Sequence, residues 1–97
     1  MTVDKFIDHV LEMNGFQLQA LVAAEEMSEL TKELSKYARG LGNRENIAEE
    51  LADVVLCLRE MCKVFDIEDL EIEQRIRNKI DRYFKVEDKD RKDRKKA

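Results

Sequence analysis

Three features of the sequence predict an all-α fold. Its 97 residues include no proline and only three glycines. Apolar residues recur at the helical period over most of the chain. The densest cluster of breakers, Gly40-Leu41-Gly42, falls between two long periodic stretches. This length suits one domain with a single core, read here as residues 1–86, with 87–97 as a charged tail.

The first helix is expected over Thr2 to Met13. Val3, Phe6, Ile7, Val10 and Leu11 form its apolar face, Thr2 is available as cap, and Asn14-Gly15 ends it. His9, the only histidine, lies off that face and reads as a solvated side chain. A second helix from Phe16 to about Arg39 takes Leu18, Leu21, Val22, Leu30 and Leu34 as its core. At 100° per residue, Glu25 and Glu29 fall between Leu21 and Val22, and Glu26 and Glu33 lie at the edge. Gly40 ends the helix as a terminal glycine does, and Asn43 can cap the next. The third helix, about Arg44 to Val64, places Ile47, Leu51, Val54, Leu58 and Met61 on one face, with Glu50 and Asp53 on its flank. Leu56 and Met27 point elsewhere, which calls for a further helix on that side or for a subunit interface. Asp66 is expected to cap a fourth helix running through Leu70, Ile72, Ile76, Ile80 and Phe84. The tail lacks apolar periodicity and reads as a solvated helix extension or a disordered end.

Composition excludes several functions. The net charge is −4, and it is unevenly spread. Lys85 to Ala97 carries seven Lys/Arg against four Asp/Glu, leaving eleven against eighteen in the rest of the chain. So acidic a body argues against nucleic acid as partner. Apolar runs fall far short of the ~20 residues of a membrane span, and the first residues are acidic where a signal segment would be basic, so a cytoplasmic protein with no membrane partner is expected. Cys57 and Cys62, five apart on one helix, suit neither a zinc pair nor a disulfide framework and read as reduced, packed thiols.

The acids carry the functional signal. Carboxylates at i, i+3 and i+4 project from one side of a helix, with Cβ atoms about 5–6 Å apart. Glu25, Glu26 and Glu29 form one such set, and Glu50 and Asp53 another. If the second and third helices fold as a hairpin about Leu41-Gly42, Asp53 comes level with Glu29 and Leu30, and Glu50 with Glu33. Carboxylates so crowded repel one another unless counter-charge intervenes, and a hard divalent cation such as magnesium supplies it. For any single glutamate, a solvated helix face with Lys32 or Arg59 as partner is the plainer reading. A di-iron bundle needs Glu-x-x-His pairs on two helices, which one histidine cannot provide.

Glu25-Glu26-x-x-Glu29, followed by Glu50-x-x-Asp53 with 21 positions from Glu29 to Glu50, resembles the signature of the all-α nucleoside triphosphate pyrophosphohydrolases, the MazG-like superfamily. Gln17-Leu18-Gln19, Leu34-Ser35-Lys36-Tyr37, Arg39-Gly40 and Asn46-Ile47-Ala48-Glu49-Glu50-Leu51-Ala52-Asp53-Val54 extend the similarity, which spans most of Phe16 to Phe84. The resemblance implies helical hairpins packed into a four-helix bundle completed by oligomerisation, as a homodimer or homotetramer. It implies hydrolysis between the α- and β-phosphorus of a nucleoside triphosphate, with Mg2+ as cofactor and Mn2+ as a substitute. It also implies Glu25, Glu26, Glu29, Glu50 and Asp53 as metal ligands, with Glu50 and Glu26 as the catalytic residues, Glu50 as ligand or as a base orienting water. Lys79 and Arg82 match the basic spacing that follows the acidic helices in relatives and would hold the β- or γ-phosphate; Gln17 would border the base or ribose. Phosphoribosyl-ATP pyrophosphohydrolases share the acidic pattern, but Arg39-Gly40 and Phe65-Asp66-Ile67 resemble the MazG-like branch more closely. A non-catalytic helical module that kept the bundle and binds a nucleotide or partner in its acidic groove is the competing reading, since no base-reading motif stands out.

Overall fold

The computed structural model of the chain describes residues 1–96. All four elements are helices: α1 Val3–Asn14, α2 Phe16–Ala38, α3 Arg44–Val64 and α4 Asp69–Lys96. No strand forms among the described residues, and no described helix is long and apolar enough to cross a membrane. The chain divides into two compact units, Met1–Asp66 and Ile67–Ala97.

Local chemistry accounts for the helix ends in the first unit. The Thr2 hydroxyl accepts from the Lys5 N–H at 3.1 Å and so caps α1. The Asn43 side chain accepts from the N–H groups of both Glu45 and Asn46, at 2.9 and 3.2 Å, and caps α3. At the end of α2, Leu41 N–H donates to the Lys36 carbonyl and Gly40 N–H to that of Tyr37. Gly40 sits at φ 78°, which completes the left-handed helix stop that glycine favours. The loop then folds back along α2 so closely that a Cβ on Gly42 would lie 2.6 Å from the Tyr37 Cα.

That fold-back sets the register of the α2–α3 hairpin. Gln19 Nε2 donates to Glu60 Oε2 at 3.0 Å, and seven residues along each helix Glu26 meets Asp53. The expected register, with Asp53 beside Glu29 and Leu30 and Glu50 beside Glu33, is therefore displaced by about one turn. It assumed a turn centred at Leu41-Gly42, whereas the real loop doubles back and lets α2 overhang the start of α3.

The buried face of α2 also differs from expectation. Ala23 and Gln19 are buried, Val22 and Leu30 are half-buried, and Leu18, Leu21 and Leu34 stand exposed, Leu21 at 69%. Helix α2 has turned its smaller and polar side chains towards α3 and left Leu18, Leu21 and Leu34 outside. On α3, Val54 and Cys57 are buried while Leu51, Val55 and Leu58 form an uncovered stripe. From α1, Ile7 and Leu11 complete the core, and the Lys63 ammonium pairs with the Asp8 carboxylate between α3 and α1. Leu56, expected to need cover, lines a hollow with Met1, Thr2, Val3 and Phe6 of the α1 end.

Asp66 does not cap α4. It follows the last turn of α3 in the left-handed region, φ 53°, donating its N–H to the Lys63 carbonyl; a short polar side chain tolerates that conformation. Helix α4 starts at Asp69 and runs on to Lys96, so residues 87–96 extend the helix. It buries no side chain, and the i,i+4 pairs Glu71–Arg75, Glu73–Arg77 and Glu87–Arg91 line its surface.

Candidate metal centre

Three carboxylates converge where α2 and α3 face each other. Glu26 from α2 and Glu50 and Asp53 from α3 each offer an oxygen, and these oxygens lie within 4.8 Å of one another. Glu50 and Asp53 are three apart on α3 and so share a face, which the hairpin register brings against Glu26. Asp53 is exposed, and Glu26 and Glu50 are half-buried.

The group is short of positive charge. Among the described residues none of Glu25, Glu26, Glu29, Glu50 and Asp53 takes part in an ion pair; of the nearby acids only Glu33 does, with Lys36 at 3.3 Å. Among the described residues Lys32 and Arg59, the partners a solvated face would offer, form no ion pair. Burial pushes the Glu26 carboxyl above its ordinary range, and Asp53, Glu50, Glu25 and Glu29 push it the same way. Glu50 is raised likewise, first by burial and then by Asp53, Glu29, Glu33 and Glu49. Glu50 Oε2 is also buried without any hydrogen-bond partner, an arrangement folded proteins rarely leave unanswered.

These residues offer a donor set for a metal ion. The three oxygens lie within 4.8 Å of one another, and the side chains would draw closer to share one ion with ligands at about 2.0–2.1 Å. The donor set is all oxygen, as a hard cation requires. Glu25 and Glu29 are exposed on α2; they are near enough to raise Glu26 but stand outside the converged trio.

The trio opens onto a cavity of about 280 Å³ between α1, α2 and α3. Glu26 and Asp53 border it, and Asn14, Gln19 and Glu60 line it as well. Gln17 is exposed; the glutamine in the cavity is Gln19. Sequence reasoning missed Gln19 and Glu60, although each lies seven residues from an acid of the trio on its own helix and so on the same face. Lys79 and Arg82 lie on α4 in the second unit, where with Arg75, Asn78, Asp81 and Lys85 they line a polar groove. Cys57 also borders the cavity. Burial and then Glu60 push its thiol up to about 11, and both cysteines are free.

No known protein family, curated protein or solved structure matches this chain.

Proposed function

We propose that the chain is a magnesium-dependent nucleoside triphosphate pyrophosphohydrolase, releasing the nucleoside monophosphate and pyrophosphate. The observation that carries this reading is the convergence of Glu26, Glu50 and Asp53 with no cationic side chain paired to them and with Glu50 Oε2 buried and unpartnered. Glu26, Glu50 and Asp53 would hold the metal, with Glu25 and Glu29 completing the ligand set. Bound magnesium, or manganese in its place, supplies charge neutralisation for the triphosphate and acidifies water beside it. The side chains do the rest. Glu50 or Glu26 takes the proton of a water whose oxygen attacks the α-phosphorus; the bond from that phosphorus to the bridging oxygen breaks, and pyrophosphate departs with the electron pair.

Assembly into a bundle of two or more copies is part of the same proposal. Leu51, Val55 and Leu58 on α3 and Leu18 and Leu21 on α2 are each 46–69% exposed, more apolar helix surface than monomers usually leave in contact with water. A homodimer or homotetramer would cover it.

Incubation with canonical, deoxy and modified nucleoside triphosphates and magnesium tests the activity. Pyrophosphate and monophosphate should appear together for at least one nucleotide and vanish in Glu50→Gln and Asp53→Asn. No release from any nucleotide at any pH would leave the acidic groove of a non-catalytic helical module as the reading that remains.

A further inference from the structure

We infer that the cavity between α1, α2 and α3 seats the base of the nucleotide, and that Glu60 selects a guanine-type base through its two adjacent N–H donors. This rests on the triphosphate reading of the acidic trio.

The cavity joins two chemically different ends. Glu26 and Asp53 border it at the metal centre, and Glu60, only 3% exposed, lines it two helical turns away along α3. Seven residues of helix rise about 10 Å, and Gln19 stands the same seven residues from Glu26 on α2. That separation matches the reach of a nucleoside from its α-phosphate to the far edge of its base. Phe6, Val10, Val22 and Leu56 provide apolar walls between the ends, suited to the faces of a flat heterocycle. At about 280 Å³ the space lies near the lower limit of ligand pockets, roughly 300–1,000 Å³.

Hydrogen-bond polarity decides which base fits. Asn14 Nδ2 donates to Gln19 Oε1 at 2.8 Å, and Gln19 Nε2 donates to Glu60 Oε2 at 3.0 Å. The relay fixes the orientation of the Gln19 amide and runs one way, so it ends on an acceptor. A carboxylate has about four acceptor sites, and Gln19 fills one. The group that completes the end must therefore donate. Guanine presents N1–H and the 2-amino group side by side, a match for two carboxylate oxygens. Adenine sets its N1 lone pair, and cytosine its N3, against the same oxygens beside a single amino group, and uracil flanks one N–H with carbonyls. Hypoxanthine keeps N1–H but lacks the 2-amino group.

The experiment compares binding of guanosine, inosine, adenosine and cytidine monophosphates to the full chain, followed through the Gln19 side-chain amide resonances, with hydrolysis of the four triphosphates in magnesium run in parallel. Guanosine monophosphate should bind about 10- to 150-fold more tightly than inosine monophosphate, the worth of the one extra hydrogen bond to a charged group at ~1.5–3 kcal/mol, and should shift the Gln19 amide. Glu60→Gln, which replaces one acceptor by a donor, should erase that ratio. If Glu60→Gln does not fold, Asn14→Ala, which releases Gln19 from the α1 side, should narrow it. Equal binding of guanosine and inosine monophosphates, or an unmoved Gln19 amide, overturns the inference whether or not hydrolysis occurs. Hydrolysis without guanine preference sinks the base assignment alone. Guanine-selective binding without hydrolysis of any triphosphate upholds it and removes the catalytic reading instead.

Discussion

Replacing Gly42 with alanine tests the turn that sets the register of the site. The added Cβ would lie 2.6 Å from the Cα and 2.7 Å from the Cβ of Tyr37, where carbon atoms normally stand about 3.5–4.0 Å apart. An overlap near 1 Å cannot be relieved by a rotamer change, because the nearest atom is backbone. Either the loop swings off α2 or the last turn of α2 distorts. Overpacking of this kind costs about 1–3 kcal/mol, and each kcal/mol lowers Tm by roughly 4–8 °C in a domain of this size. A fall of between about 4 and 24 °C is expected in far-UV circular dichroism melts. Gly40 separates crowding from backbone strain. A Cβ there meets nothing within 4 Å, but the φ of 78° penalises side chains. At position 40 asparagine should therefore be milder than alanine, whereas at 42 it should be no milder. Tyr37→Ala should not rescue Gly42→Ala, since it keeps both nearest atoms. A Gly42→Ala protein melting within about 2 °C of wild type, or rescued by Tyr37→Ala, would refute the steric account of the register.

Four further outcomes follow from the same geometry. Magnesium at about 100 times its Kd should add ~2.7 kcal/mol, a rise of roughly 10–20 °C in Tm, and Glu50→Gln should abolish most of that rise. Because Glu26 and Glu50 hold protons more tightly folded than unfolded, folding takes up protons between the ordinary glutamate range and their raised values. Metal-free stability should thus fall as pH rises through that window, and Glu50→Gln should raise the metal-free Tm more at pH 7 than at pH 4. With its thiol pushed up to about 11 and buried, Cys57 holds about one thiolate per thousand at pH 8; peptide mass spectrometry after alkylation should find Cys62 modified first and Cys57 only on unfolding. Asn43→Ala, which strips two N–H groups of their acceptor, should cost about 1 kcal/mol, read as a Tm lower by about 4–8 °C.

Helix boundaries were legible in the sequence because their causes are local. Thr2, Gly40 and Asn43 act within a turn of themselves, and α1, α2 and α3 begin and end within a residue or two of where those signals put them. Register was not legible, because it depends on how far the Gly40–Asn43 segment runs back along α2, a contact between Gly42 and Tyr37 that no periodicity encodes. The buried face of α2 was misread for a related reason. Leu18 and Leu21 outweigh Ala23 and Gln19 in hydrophobicity, but the close helix contact takes the small side chain and the hydrogen-bonded one. Asp66 shows the same limit at a junction: an acid between two helices fits the end of one as well as the start of the next, and only the backbone angle decides.

The buried face of α2 also bears on how the site is kept. A hairpin that turned Leu18 and Leu21 inward would bury more apolar surface, each such side chain contributing about 1.5–3 kcal/mol. The observed packing instead turns Gln19, Ala23 and Glu26 towards α3 and meets them with Glu60, Cys57 and Asp53. Local hydrophobicity and global arrangement agree on α1, where Ile7 and Leu11 are buried, and disagree on α2 and α3, where Leu18, Leu21, Leu51 and Leu58 stand exposed. Such a conflict is the pattern expected of a functional face, and it supports the proposed metal centre. On α2, the same rotation that brings Glu26 against Asp53 leaves Leu18 and Leu21 uncovered, and these are surfaces that the proposed assembly would cover.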